Sequence, residues 1–248
     1  MASNFRFLAY ARILAAAPIL AIAMAALPTL AAAADGRLAP AVSGYSGIRL
    51  AVPGKMEVIQ GDAEAIAIEG AEEDLAKIEA VVEDGVLHIR ARERNTRWSS
   101  WNPKFRITAN AKRVESLGIS GSGDIVAKSL RTPSIKLAIS GSGDIRVASL
   151  DTQKTDVRIS GSGDVLLGGK TGSLDSHISG SGTVKAEKLD SRQASVSISG
   201  SGDAVLWARE SLQVKIAGAG DVRYYGDPTV EKRIAGSGSV KRLGLAPS

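Results

Sequence analysis

The sequence predicts an all-β protein of the solenoid class, a parallel β-helix whose coils repeat about every 20 residues. Three observations predict it. The segment Ile-Ser-Gly-Ser-Gly-Asp-Ile at 119–125 returns at 139–145, and five further variants of its turn follow. Counted from the first Ser or Ala of each tetrad, the turns begin at Ser120, Ser140, Ser160, Ser179, Ser199, Ala217 and Ala235, in steps of 20, 20, 19, 20, 18 and 18 residues. Between the turns, apolar residues alternate in the two-residue period of a strand.

The first 34 residues stand apart from this pattern. Arg6 and Arg12 make a basic start, residues 13–27 are an apolar run, and Ala32-Ala33-Ala34 supplies small residues before Asp35. This is the layout of a secretory signal peptide. A retained anchor is the rival reading, since residues 13–34 carry no charge over 22 positions. Pro18, Pro28 and the alanine-rich end favour cleavage, which would leave no transmembrane segment.

Residues 46–70 alternate as strands through Ile48 and Leu50, Met56 and Val58, then Ile66 and Ile68, with turns at Pro53-Gly54 and Gly61-Asp62. Residues 71–82 change period. Leu75, Ile78 and Val82 follow Glu72, Glu73 and Asp74 at helical spacing, so one short helix is expected in this N-terminal part. Alternation resumes at Val86–Ile89 after Asp84-Gly85, and at Phe105–Ile107 after a polar loop holding Trp98 and Trp101.

Regular coils are expected from about residue 112. In one of them Ile135, Leu137 and Ile139 lead into the corner, Ile145 and Val147 leave it, and Leu150 closes. Later coils place Val157, Ile159, Val165 and Leu167, or Val196, Ile198, Ala204 and Leu206, at the same points. Residues 230–248 read as a last coil and tail. Half a dozen buried aliphatics give roughly 10 kcal/mol, less than the cost of ordering about twenty residues. No coil can stand alone, so the coils must stack. The corner glycines permit positive φ and close approach of neighbouring coils, and small Ser120 and Ser122 can bond their equivalents one coil away.

Composition limits the function. Without Arg6 and Arg12, the 31 basic residues become 29 against 26 acidic ones, a net charge of +3 that is too small to argue for nucleic acid. The absence of cysteine excludes a disulfide framework and a lipid-anchored lipoprotein. An exported protein of the bacterial periplasm or cell surface is expected.

The ISGSGDI and ISGSGDV corners, the leading SGIRLAVPGKMEVIQGD, the EEDLAKIEAVVEDGVLHIRAR stretch and the closing Gly220–Pro228 element resemble the auto-transporter adhesin, head GIN domain family from about residue 45 to 229. The resemblance implies a secreted, single-stranded, right-handed parallel β-helix with an adhesin-like role. It brings no catalytic or binding residues with it. No membrane barrel or wall anchor is recognised after the repeat, so self-transport by this polypeptide is not expected.

Candidate sites follow from the repeat phase. Asp124, Asp144 and Asp164, with Asp203 and Asp221, share one corner, an arrangement that invites Ca²⁺. One Asp per twenty residues differs from the nine-residue calcium repeat, and an Asp after Gly can instead accept N–H groups of its own turn. These residues are therefore weak metal candidates, and no cofactor is expected. Gly-Ser-Gly is followed by a strand rather than a helix, which argues against a phosphate loop. His88 and His177 are the two histidines, and coils of such regular length leave no room for groove-building loops, so no catalytic residues are assigned.

Arg158, His177, Lys215 and Arg233 occupy equivalent outward positions before the corner, and Arg146, Lys185, Arg223 and Lys241 occupy them after it. Such stripes could meet anionic polysaccharide or simply keep the rod solvated. Val126, Leu166 and Val205 interleave with the second set and, if exposed, suggest a second subunit. Trp98 and Trp101 could stack on sugar rings or cap the solenoid end. The candidate ligand-binding residues are thus Trp98, Trp101, Arg158, Lys215 and Arg233. The expectation is a non-catalytic, adhesin-like envelope protein with glycan partners. The alternatives are an enzyme or accessory module acting on envelope polysaccharide, and a self-associating assembly element.

Overall fold

Stacking decides everything that follows, because each coil finds its hydrogen-bond partners and its core neighbours in the coils above and below. A computed structural model describes residues 36–93, 95–97 and 105–247. The expected signal peptide and the Trp98–Trp101 segment lie outside them. The described residues form a β-solenoid of about six turns with one short helix.

The leading part comprises β1 (Arg37–Leu38), β2 (Gly47–Leu50), β3 (Gly54–Gln60), β4 (Ala65–Glu69), α1 (Glu72–Leu75), β5 (Ile78–Glu83), β6 (Val86–Ala91) and β7 (Phe105–Ala111). The regular coils contain β8 (Ser116–Gly121), β9 (Asp124–Arg131), β10 (Ser134–Gly141), β11 (Ile145–Gly161), β12 (Asp164–Gly180), β13 (Thr183–Gly200) and β14 (Asp203–Gly218). β15 (Val222–Tyr225), β16 (Thr229–Gly236) and β17 (Val240–Gly244) complete the stack.

From β8 onward the pairings are parallel and residue-matched. Ile119, Ile139, Ile159, Ile178, Ile198 and Ile216 form one buried column before the corner, and Ile125, Ile145, Val165, Val184, Ala204 and Val222 form another after it. The alternation read from the sequence therefore becomes a continuous core. The step lengths of 18 to 20 residues are absorbed elsewhere. Register shifts fall between Val147 and Leu150, Leu166 and Gly168, Ala186 and Asp190, and Ser191 and Gln193, on the side of the coil away from the Ser-Gly corner. Residues flanking that corner stay in phase through the whole stack.

At the corner, Gly141 has φ +139°, and a Cβ on Gly143 would lie 1.9 Å from the Gly123 carbonyl oxygen. One glycine supplies the backbone angle and the other the coil spacing. Backbone bonds tie successive corners, as when Ser142 N–H donates to the Gly121 carbonyl at 2.9 Å and Ser162 N–H to Gly141 at 2.9 Å.

The leading part departs from the sequence reading in two ways. The helix is a single turn, because Ile78 and Ala80 turn inward at strand spacing and β5 pairs antiparallel with β6. Asp84 (φ +49°) and Gly85 (φ +74°) close that hairpin, as a tight two-residue loop demands. Cross-strand pairing thus overrides the helical spacing of Leu75, Ile78 and Val82. β1 with β4, and β4 with β7, are also antiparallel, so the parallel stack is covered at this end by strands of opposite sense.

Candidate ligand-binding face

One flat face consists of β6, β2, β8 and β10, the later halves of β11 to β14, and β16. Its strands alternate inward aliphatic residues with outward polar ones, so each outward position becomes a column along the stack. The middle column runs His88, Arg49, Gly118, Ala138, Arg158, His177, Ser197, Lys215, Arg233. Fold registration therefore brings Arg158, Lys215 and Arg233 together, as the repeat phase required. It also adds Arg49 and His88, which sequence reasoning missed. These two come from irregular strands outside the twenty-residue repeat, and only the alternation of Ile48 with Leu50 and of Leu87 with Ile89 marked them as outward.

The flanking columns set the chemistry. Ser120, Ser140, Ser160, Ser179 and Ser199 are exposed and stand in register on one side. On the other side lie Lys136, Asp156, Asp175, Ser195, Gln213 and Glu231. Two arginines of the middle column lean on acids two residues earlier. Arg158 donates through Nε to Asp156 Oδ1 at 3.0 Å and through Nη2 to Oδ2 at 3.3 Å, and Arg233 Nη2 meets Glu231 Oε1 at 2.9 Å. His177 Nε2 stands 3.7 Å from Asp175 Oδ1. The Arg158 fork holds the Asp156 carboxyl below the usual aspartate range, and Asp156 in turn holds the guanidinium proton more tightly. Among the described residues, Arg49 and Lys215 make no ion pair. Arg49, Gly118, Ala138, Arg158, His177 and the serine column line an open trough of about 680 Å³.

The aspartate corner is built differently from the sequence expectation. Asp124 Oδ1 accepts the Asp144 N–H at 3.0 Å, Asp144 Oδ1 that of Asp164 at 3.0 Å, and Asp164 Oδ1 that of Thr183 at 3.2 Å. The bonds reach the next coil and not the residue's own turn, because the stacked parallel backbone places the following N–H directly above each carboxylate. Asp203 and Asp221 repeat the bond to Asp221 and Ser239, both at 2.9 Å. The second oxygens of Asp144 and Asp164 meet Arg146 at 2.6 Å and Lys185 at 2.8 Å. The column's like charges are thus interleaved with donors, and its carboxylates clip coil to coil. Among the described residues, no group of three or more acidic or histidine side chains is placed to hold a metal ion.

The face after the corner alternates strictly, with Val126, Arg146, Leu166, Lys185, Val205 and Arg223 on successive coils. Val126, Leu166 and Val205 point outward as expected, but they are half-buried rather than exposed. Arg146, Lys185 and Arg223 stand on the rungs between and beside them. A third side carries Arg131, Asp151, Lys170 and Asp190 in alternating sign, with Arg131 3.2 Å and Lys170 3.5 Å from Asp151. Charges pair on that side as they do at Arg158 and Arg233, whereas Arg49 and Lys215 of the column before the corner make no ion pair among the described residues. Trp98 and Trp101 lie outside the described residues. The links between β11, β12, β13 and β14 are two residues each, 162–163, 181–182 and 201–202, so none raises a wall across these faces.

Comparison with known proteins matches residues 44–228 to the family model described as "Putative auto-transporter adhesin, head GIN domain". A "putative adhesin" crystal structure from Bacteroides fragilis is 24% identical, with a TM-score of 0.75 over 84% of this chain and 96% of that one. A "putative lipid binding protein" from Parabacteroides distasonis is 23% identical, with a TM-score of 0.67 over 85% and 99%. A "putative adhesin" from Parabacteroides merdae is 19% identical, with a TM-score of 0.65 over 84% and 95%. At these identities the likeness carries the fold. No match is found among curated proteins.

Proposed function

Since the chain belongs to the auto-transporter adhesin, head GIN domain family, we propose that it is a non-catalytic, exported binding domain of the bacterial envelope whose ligands are acidic glycans such as envelope polysaccharide. The basic column carries this reading. Arg49, Arg158, Lys215 and Arg233 stand on one flat, residue-matched face, where a repeating scaffold meets a repeating polymer. Adjacent rungs are about 4.8 Å apart, so several cations act on one extended chain. The short links between coils favour a binding surface over an enzyme groove. Trp98 and Trp101 are aromatic candidates for stacking on sugar rings in the same reading.

Export belongs to this proposal too. Mass analysis of the mature protein from the native host is expected to find its N-terminus at or next to Asp35.

The binding reading is tested on a glycan array with the wild type and with the Arg158→Ala/Lys215→Ala/Arg233→Ala variant. Acid-selective binding that falls at least about tenfold in the variant, while its melting curve is kept, supports the proposal. Equal binding by both proteins, or turnover of the polysaccharide, overturns it.

A further inference from the structure

Resting on that reading, we infer that the trough between Arg49 and Arg158 is a subsite for a linear, carboxylate-bearing glycan. Its chain runs along the stacking axis, with acidic groups at the two guanidinium ends and ring hydroxyls on the serine column.

The middle column supplies the argument. Arg49 and Arg158 are three rungs apart, about 14 Å along the stack, and the two rungs between them carry only Gly118 and Ala138. This gap is the floor of the trough. A Cβ on Gly118 would lie 3.6 Å from Arg49 Nε, so the Arg49 side chain leans over the glycine rung and towards the floor. It makes no ion pair among the described residues and is available to an incoming anion. Asp156 takes the Nε and Nη2 edge of Arg158, and Nη1 has no hydrogen-bond partner among the described residues. Asp156 is therefore a positioning residue that fixes the direction in which the guanidinium presents its free donor.

The serine column adds a second chemistry beside the first. Ser120, Ser140 and Ser160 border the same trough, one hydroxyl per rung. The rung repeat is comparable to the length of one sugar residue in an extended chain, so successive rings meet successive hydroxyls. A floor of Gly and Ala is flat enough for a pyranose ring, and it offers no aromatic surface on which a nucleic-acid base could stack. Two guanidinium groups with a hydroxyl ladder between them therefore fit a polyhydroxylated polyanion whose carboxylates recur along the chain, so that two of them about three residues apart meet the two guanidinium ends.

The test measures binding of hexagalacturonate, its neutral methyl ester and a single-stranded DNA oligomer to the folded chain by calorimetry. Arg49→Ala, Arg49→Lys, Ala138→Trp and Lys241→Ala are compared with the wild type. Hexagalacturonate is expected to bind and the methyl ester to bind at least about tenfold more weakly. Arg49→Ala and Ala138→Trp should each cost about tenfold, Arg49→Lys less, and Lys241→Ala on the other face nothing. Unchanged melting curves show that the outward substitutions leave the fold intact.

Acid-selective binding that ignores both Arg49→Ala and Ala138→Trp overturns this subsite and leaves the wider proposal standing. An equal loss in Lys241→Ala, or preferred binding of DNA, also overturns the subsite. A wild type that binds no acidic glycan overturns both.

Discussion

Single atoms decide whether the corner can exist. At Gly143 a Cβ would meet the Gly123 carbonyl oxygen at 1.9 Å and Ile119 Cγ2 at 3.0 Å, whereas nothing lies within 4 Å of a Cβ on Gly61. Gly143→Ala is therefore expected to cost about 3 kcal/mol or more in chemical denaturation. Gly61→Ala should be close to neutral in the same experiment. Ser176 is the opposite case. Its hydroxyl is fully buried without a hydrogen-bond partner among the described residues, between Val157 and Val196 in the core column. Ser176→Ala removes an unsatisfied donor at little loss of volume and should add about 1 kcal/mol, read as a melting temperature higher by about 2–4 °C. An unchanged or lower melting point would mean that the hydroxyl has a partner in solution.

Charge pairs act at the level of the strand, because residues two apart share one face. Arg158 lowers the Asp156 carboxyl in the folded state. A carboxylate with a depressed folded pKa adds stability above its unfolded value and loses that stability as pH falls through the folded value. The wild type should therefore lose stability below about pH 4. Arg158→Ala should remove part of the stability at neutral pH and shrink the gap in melting temperature between pH 7 and pH 3. The effect will be small, since the Arg158 side chain is 66% exposed and water screens the pair. Hairpin β5–β6 carries the other element-scale lesson. Leu75, Ile78 and Val82 read as a helix by spacing, yet Ala80 completes an inward alternation with Ile78, and β6 offers a paired partner. Local periodicity lost to cross-strand hydrogen bonding that no window of twelve residues contains.

The whole solenoid poses a problem at its ends, where a coil lacks a neighbour on one side. At the leading end, antiparallel β4 and β5 cover β7 and β6. At the trailing end the last coil changes sequence instead. Lys232 continues the core column of Val196 and Val214, and Arg242 continues that of Leu206 and Tyr224 while pairing with Asp227 at 3.0 Å. Ile234, in register with Ile198 and Ile216, lies in this last coil and is 40% exposed. Charges in core columns make this edge a poor template for another strand. Lys232→Val/Arg242→Leu should therefore produce concentration-dependent dimers or larger species in light scattering, while the wild type stays free of them at the same end. An unaltered mass over a wide concentration range would show that the edge is blocked by other means.

The repeat by itself determined the class of fold, the coil length, the inward columns and the outward phase of Arg158, His177, Lys215 and Arg233. It could do so because parallel in-register stacking gives every residue the same neighbours as its equivalent one period away. Where the period stops, the sequence stops being explicit. Arg49 and His88 joined the basic column only when β2 and β6 paired in register with the first coils. The aspartate corner became a coil-to-coil clip only when a neighbouring N–H stood above each carboxylate, and the half-burial of Val126, Leu166 and Val205 showed only in the folded stack. Periodicity fixes what a residue's equivalents are; the contacts across coils, and the ends where those contacts fail, exist only in three dimensions.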